Sequence, residues 1–189
     1  MKRIFIALLA MVAFVACEKT EDGIFAFDKE GNCIDKAGRE VSAEEFAQKA
    51  VGFCWKRNAW YEINNDGIVS GQEFHKGWYG FSPTEYYYFI DNSNVKCYIW
   101  NGADPVGDSG YYKFSTYGFI DSEIYFEDEE KALYQVLEIV DDSMTVIMQQ
   151  AYIDNGIPKM RYFLTTLTKL TEEKHQEIEE RYWMNWDEK

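Results

Sequence analysis

The chain has 189 residues, of which 47% are hydrophobic and 17% aromatic, and its formal net charge is −14 at pH 7. A chain of this length and composition can bury the core of one domain. A protein this acidic repels nucleic acid and anionic lipid surfaces, which excludes nucleic acid as a partner.

The first sixteen residues have the composition of an export signal. Lys2 and Arg3 form a positive start, and an apolar run of 13 residues extends from Ile4 to Ala16. As a helix this run would reach only ~20 Å at ~1.5 Å per residue, less than the ~30 Å hydrocarbon core of a bilayer. We therefore predict a signal peptide over residues 1–16 and no membrane span.

A cysteine stands where the apolar run ends. The sequence Phe14-Val15-Ala16-Cys17 resembles the lipobox of bacterial lipoproteins, in which the cysteine is acylated and becomes the first residue of the mature chain. The resemblance implies that Cys17 anchors the protein to outer-membrane lipid. The acidic residues 18–22 that follow resemble a signal for export to the cell surface. An ordinary secretory signal and a solvated tether are the alternatives.

Changes in composition divide the rest of the chain. Residues 17–40 are polar and acidic and predict a tether, with glycines that suit a short hairpin. Ser42 and Glu45 stand at the spacing of a capping box and predict a short helix. The β domain is predicted over residues 41–170, and a C-terminal helix over residues 171–189.

From residue 53 to residue 170 the sequence is rich in aromatic and β-branched residues and is interrupted at short intervals by Gly, Asn or Asp. This pattern predicts eight strands, at residues 53–63, 84–90, 95–100, 111–117, 123–126, 133–140, 144–152 and 160–170. Short turn sequences at residues 141–143 and 154–156 predict that the last three strands form an antiparallel meander.

Eight consecutive antiparallel strands have two edges to protect, and closure into a barrel removes both. We therefore predict a mainly β fold, an eight-stranded antiparallel up-and-down barrel with a short N-terminal helix and a C-terminal helix. A two-sheet sandwich is the alternative fold. Ile178, Tyr182 and Trp186 recur at every fourth position and predict that the C-terminal helix packs against the β core.

Several segments resemble the lipocalin-like lipoproteins of Gram-negative gut bacteria. They are GFCW at residues 52–55, YEI at 61–63, YYF at 87–89, YQVL at 134–137, MTV at 144–146 and YFL at 162–164. The resemblance covers about residues 51–170 and implies a lipocalin-like barrel that binds a small ligand. Gly52 and Trp55 stand one residue further apart than in the Gly-x-Trp of lipocalins.

Residues 62–73 spell most of a calcium-binding EF-hand loop, with Glu62, Asn64, Asp66, Ser70 and Glu73 at ligand positions. Two glycines and a proline follow within ten residues and disfavour an exiting helix. We therefore predict no metal site and assign these residues to the connection after the first barrel strand. Residues 70–83 are predicted to form a loop over the barrel mouth. Calcium binding by residues 62–73 is a minor alternative.

Aromatic residues crowd four neighbouring predicted strands. Since alternate residues of a strand face opposite ways, Tyr87 and Phe89 point to one side and Tyr86 and Tyr88 to the other. Packing accounts for most of these rings, and the surplus suits an apolar ligand or a sugar. The candidate ligand-binding residues are Trp55, Tyr87, Phe89, Tyr98, Trp100, Tyr112 and Phe114.

We predict a non-enzymatic lipoprotein of the outer membrane, exposed at the cell surface, that binds a small apolar or amphipathic ligand without a cofactor. The alternative is a module that binds glycans or proteins through exposed aromatic residues. Cys33, Cys54 and Cys97 allow one disulfide and leave one thiol. His75 and His175 are predicted to be ordinary surface residues, and no catalytic residues are assigned.

Overall fold

A computed structural model of the protein describes residues 23–74, 84–99, 110–126 and 134–185. The two helices are α1 (Ala43–Lys49) and α2 (Glu172–Arg181). The strands are β1 (Phe25–Phe27), β2 (Cys33–Asp35), β3 (Cys54–Ile63), β4 (Val69–Glu73), β5 (Thr84–Phe89), β6 (Asn94–Ile99), β7 (Tyr111–Ile120), β8 (Glu123–Phe126), β9 (Tyr134–Val140), β10 (Ser143–Asp154), β11 (Ile157–Lys169) and β12 (Met184–Asn185).

Eight of these strands form a closed antiparallel barrel in the order β3, β5, β6, β7, β8, β9, β10 and β11. The ring closes because β11 pairs with β3, which places Tyr162 opposite Ile63 and Lys169 opposite Trp55. The predicted eight-stranded up-and-down barrel is confirmed. The sandwich alternative fails because the two strands that would be its edges are hydrogen-bonded to each other.

Helix α1 closes one end of the barrel. The Ser42 hydroxyl caps it by accepting a hydrogen bond of 3.1 Å from the Glu45 N–H, as the capping box predicts. Phe46 is 2% exposed, and its ring lies 5.2 Å from the Phe89 ring and 4.3 Å from the Phe119 ring. We call this the closed end of the barrel and the opposite end, to which β3 runs, the mouth end.

The β1–β2 hairpin packs on the outside of the barrel. Phe25 is fully buried in a cluster that includes Ile63, Leu137, Ile147 and Tyr162, on the outer faces of β3, β9, β10 and β11. The tether predicted for residues 17–40 is therefore too long at its C-terminal side, because the hairpin within it belongs to the folded unit.

Helix α2 packs on another part of the outer face. Thr171 caps its first turn by accepting from the Lys174 N–H at 3.3 Å. Ile178 and Tyr182 contact Cys54 and Tyr98, which confirms for these two residues the predicted apolar stripe. Its third member, Trp186, lies outside the described residues.

At the mouth end, β3 turns directly into β4, so residues 70–73 of the predicted loop belong to a strand instead. The rest of that loop, residues 75–83, lies outside the described residues, as do the predicted signal peptide and Cys17. Within the described part of the chain, no helix has the length and apolar character needed to cross a membrane.

Candidate functional site

Three of the predicted ligand-binding residues face the barrel interior. Trp55 is fully buried and Tyr87 and Phe89 are 4% and 1% exposed, all within one cluster. Trp55 lies opposite Tyr87 on the neighbouring strand, and its indole N–H donates to the carbonyl of Ala50 at 3.1 Å. This bond ties the first barrel strand to the segment that carries α1.

The other described candidates lie on the outer face. Tyr98 is fully buried beneath α2, Tyr112 is half-buried beside it, and Phe114 is 52% exposed. Trp100 lies outside the described residues. The six described candidates thus do not line one site, because three face the interior and three lie on the outer face, where α2 packs over Tyr98 and beside Tyr112.

A buried cation faces the barrel interior, and sequence reasoning missed it. Arg57 is 6% exposed and lies opposite the interior residue Leu167 on β11. Its guanidinium carbon is 4.1 Å from the centroid of the Trp60 ring, a distance at which the cation is attracted to the ring face. Part of this could have been predicted from the sequence, since Arg57 stands two residues after Trp55 on a predicted strand and so shares its face.

Two tyrosine hydroxyls meet in the same interior. The Oη atoms of Tyr87 and Tyr134 are 2.7 Å apart and buried, and the Phe126 ring packs against both side chains. Burial raises the pKa of Tyr87 well above its usual value, the Tyr134 hydroxyl acts in the same direction and the charge of Arg57 opposes them. Tyr87 therefore stays neutral over the physiological range and serves as a hydrogen-bonding group.

Beneath α2, a charged cluster joins the helix to the barrel. The Glu179 carboxylate pairs with Lys96 and accepts from the Tyr98 hydroxyl, and His175 Nε2 lies 3.0 Å from the Tyr98 Oη. Burial raises the pKa of Glu179, but the hydrogen bonds from Lys96 and Tyr98 and the Lys96 charge outweigh it and lower the pKa. His175 is thus packed into an interface with a side chain 12% exposed, so the prediction of an ordinary surface residue is wrong.

A surface cavity of about 290 Å³ lies beside this cluster, between the start of β3, the end of β11 and α2. An ion pair of 3.1 Å between Lys169 and Asp142 stands at its edge, and His175 lines its wall. The cavity is outside the barrel, and its lining includes none of the predicted aromatic ligand-binding residues.

The stretch resembling an EF-hand loop is the connection between β3 and β4. Asn64 Oδ1 accepts from the N–H groups of Asp66 at 3.0 Å and Ile68 at 2.9 Å. Ser70 and Glu73 lie on β4, and Glu62 lies on β3 within 4.0 Å of Arg161. The flanking strands exclude a helix–loop–helix. Among the described residues no group of three or more His, Cys, Asp or Glu side chains is placed to hold a metal ion.

The three cysteines lie in separate clusters. Cys97 belongs to the barrel interior, Cys54 to the cluster under α2 and Cys33 to the β1–β2 cluster. Burial raises the pKa of the Cys33 and Cys54 thiols to about 12, so thiolate chemistry is disfavoured at both. The disulfide that the count of cysteines permits is not present.

Comparisons of the chain with family models, curated proteins and solved structures give no match.

Proposed function

We propose that this protein is an outer-membrane lipoprotein, exposed at the cell surface and related to the lipocalin-like lipoproteins it resembles, whose barrel binds a small amphipathic ligand without acting on it chemically. The observation that carries this proposal is a cation, Arg57, buried in an aromatic barrel interior. The anchor would be Cys17, because the residues before it form a lipobox-like end to an apolar leader.

A barrel of eight strands is just wide enough to be filled by side chains or to hold one small ligand. Arg57 places a positive charge in this interior, which suits the acidic head of a ligand because opposite charges attract more strongly away from bulk water. The Tyr87–Tyr134 hydroxyl pair adds hydrogen-bonding capacity nearby. The rings of Trp55 and Trp60 supply apolar surface for the ligand body.

The acidic-head prediction can be tested with a fluorescent fatty acid and the matching fatty alcohol. Replacing Arg57 by Met should weaken binding of the acid at least ~10-fold, because a hydrogen bond to a charged group contributes ~1.5–3 kcal/mol. Binding of the alcohol should change little, and Arg57→Lys should restore part of the affinity for the acid. Titration of full-length protein gives each dissociation constant.

The matched control is Arg181→Met, which removes an exposed arginine at the end of α2. Equal affinity of the wild type and Arg57→Met for the acid would contradict the assignment of Arg57. Native mass spectrometry of protein from cell envelopes would identify a retained ligand, and the mass of the N-terminal peptide would show whether Cys17 is acylated.

A further inference from the structure

The described chain begins at the mouth end of the barrel. Gly23 is buried against the β3–β4 turn, where a Cβ would overlap the backbone of Asp66 and Gly67. Two residues later, the Phe25 N–H donates to the Gly67 carbonyl at 3.2 Å. Because β3 runs from the closed end to the mouth end, whatever precedes Gly23 is attached at the mouth.

Only six peptide steps separate Cys17 from Gly23. A chain spans at most ~3.6 Å per residue, so Cys17 lies within ~22 Å of Gly23 in any conformation. If Cys17 carries acyl chains, the bilayer must therefore lie close to the mouth end.

The β10–β11 hairpin projects beyond that end. Tyr162 lies opposite Ile63, the last residue of β3, whereas β11 begins five residues earlier at Ile157. At ~3.4 Å per residue the hairpin extends ~17 Å past the end of β3. Ile157, at the tip of this hairpin, is an apolar residue that is 60% exposed.

One face of the projecting hairpin is apolar. Ala151 pairs with Met160 and Ile153 with Pro158, so these four side chains share a face. Ile153 is 75% exposed and Met160 42%. The face continues the outer surface of the barrel, which the β1–β2 hairpin covers only as far as Tyr162, whose hydroxyl donates to the Gly31 carbonyl.

The attachment of the chain distinguishes the two ends of the barrel. The closed end also exposes apolar side chains, Ile120 at 61% and Val140 at 56%, so exposure alone does not choose between them. Exposed carboxylates lie at both ends, at Asp121 and Asp141 of the closed end and at Asp66 of the mouth end. The chain before Gly23, however, is attached at the mouth end, so an anchor there brings that end to the lipid.

From the attachment point and the projecting hairpin, we infer that the barrel stands on the bilayer with its mouth facing the lipid. The hairpin tip, residues 151–160, lies in the headgroup region with its apolar face against lipid. The orientation rests on the proposed anchoring through Cys17. It places this end of the barrel next to the bilayer, into which amphipathic molecules partition.

The orientation can be measured on full-length acylated protein in vesicles of phosphatidylcholine and phosphatidylglycerol. Ile153→Cys and Val140→Cys each offer one exposed position for an environment-sensitive fluorophore, since Cys33, Cys54 and Cys97 are buried. Val140 is the matched control because it occupies an exposed hairpin end at the closed end. Doxyl-labelled lipid should quench the fluorophore at position 153 several-fold more than at position 140, and aqueous iodide should show the reverse order.

Three results would overturn the orientation. The first is equal quenching by doxyl lipid at both positions, and the second is stronger quenching at position 140. The third is shielding of position 153 from both quenchers in a dimeric protein, which would mean that a second copy covers this face. If any of these occurs while the N-terminal peptide carries acyl mass, the anchoring stands and only the orientation fails. An N-terminal peptide without acyl mass would remove the anchor and the orientation together, leaving ligand binding to its own titration.

Discussion

At the scale of single residues, Gly67 connects the barrel to the N-terminal hairpin. Its φ of +74° lies in the left-handed region, which side chains other than glycine adopt at a cost of ~1–2 kcal/mol. A Cβ there would also overlap the carbonyl of Phe25. Gly156, in the β10–β11 turn, has a similar φ of +82° but open space around it.

This pair of glycines gives a matched prediction. Gly156→Ala should lower the free energy of unfolding by ~1–2 kcal/mol, from backbone strain alone. Gly67→Ala should lower it further, because the new methyl group separates β1 from the turn and breaks the hydrogen bond between Phe25 and Gly67. Urea unfolding measures both, and limited proteolysis should cleave near residues 28–32 in Gly67→Ala only. Equal destabilisation by the two substitutions would contradict the tight contact.

A β-bulge explains why the interior residues could be predicted only in part. Alternation from Trp55 correctly places Arg57 inside, but it also places Ala59 inside and Trp60 outside. The pairing of β3 with β11 shifts register between Thr165 and Leu167, so Trp60 faces the interior at 3% exposure. A bulge depends on the partner strand, which local sequence does not reveal.

At the scale of elements, α2 was predictable as a helix but its attachment was not. Thr171 and the apolar repeat specify the helix and its packing face. The cluster of Lys96, Tyr98, His175 and Glu179 joins residues about 80 positions apart, and such proximity follows from barrel closure and not from spacing along the chain.

The cluster makes the attachment of α2 dependent on pH. The pKa of Glu179 in the folded protein lies below its reference value of 4.5, so its contribution to stability is present above pH ~4.5 and is lost as pH falls through the lower folded value. Glu179→Gln should therefore accelerate hydrogen exchange of the α2 amides at neutral pH. The difference from the wild type should shrink in acid.

Glu177→Gln is the control, since Glu177 lies on the same helix and pairs with its neighbour Lys174 at 2.7 Å. Its effect should be small, because exposed pairs contribute little. Identical exchange of α2 in both variants would show that the Lys96–Glu179 cluster does not hold the helix.

At the scale of the whole molecule, the pairing of β3 with β11 decides whether the sheet is a barrel. These strands come from opposite ends of the β domain, so closure requires long-range contacts that form late and slowly in folding. Composition and strand spacing predicted the closure because an open sheet would leave two exposed edges, whereas the register and the extra strand β4 depend on tertiary pairing.

Closure of the barrel predicts that the amides of its strands are uniformly protected from hydrogen exchange. Amides of the paired segments of β3 and β11 should exchange as slowly as those of β9 and β10, because opening either pair needs unfolding of the whole barrel. Amides of β4, an exposed strand beside the end of β3, should exchange faster and serve as the internal reference. Peptide-resolved hydrogen exchange measures all three. Early exchange of β3 and β11 together would indicate an open sheet in solution.

The separation of the three thiols has a consequence for maturation. No two of them share a cluster in the native state, and a disulfide needs Cα atoms within ~7 Å and Cβ atoms that face each other. A bond between any two in an oxidising compartment would thus have to form before the ring closes, and it would trap the chain in a misfolded form. Folding that is faster than oxidation of the three thiols avoids this misfolded form. Resistance of the thiols to alkylation would show that the protein has reached its native fold.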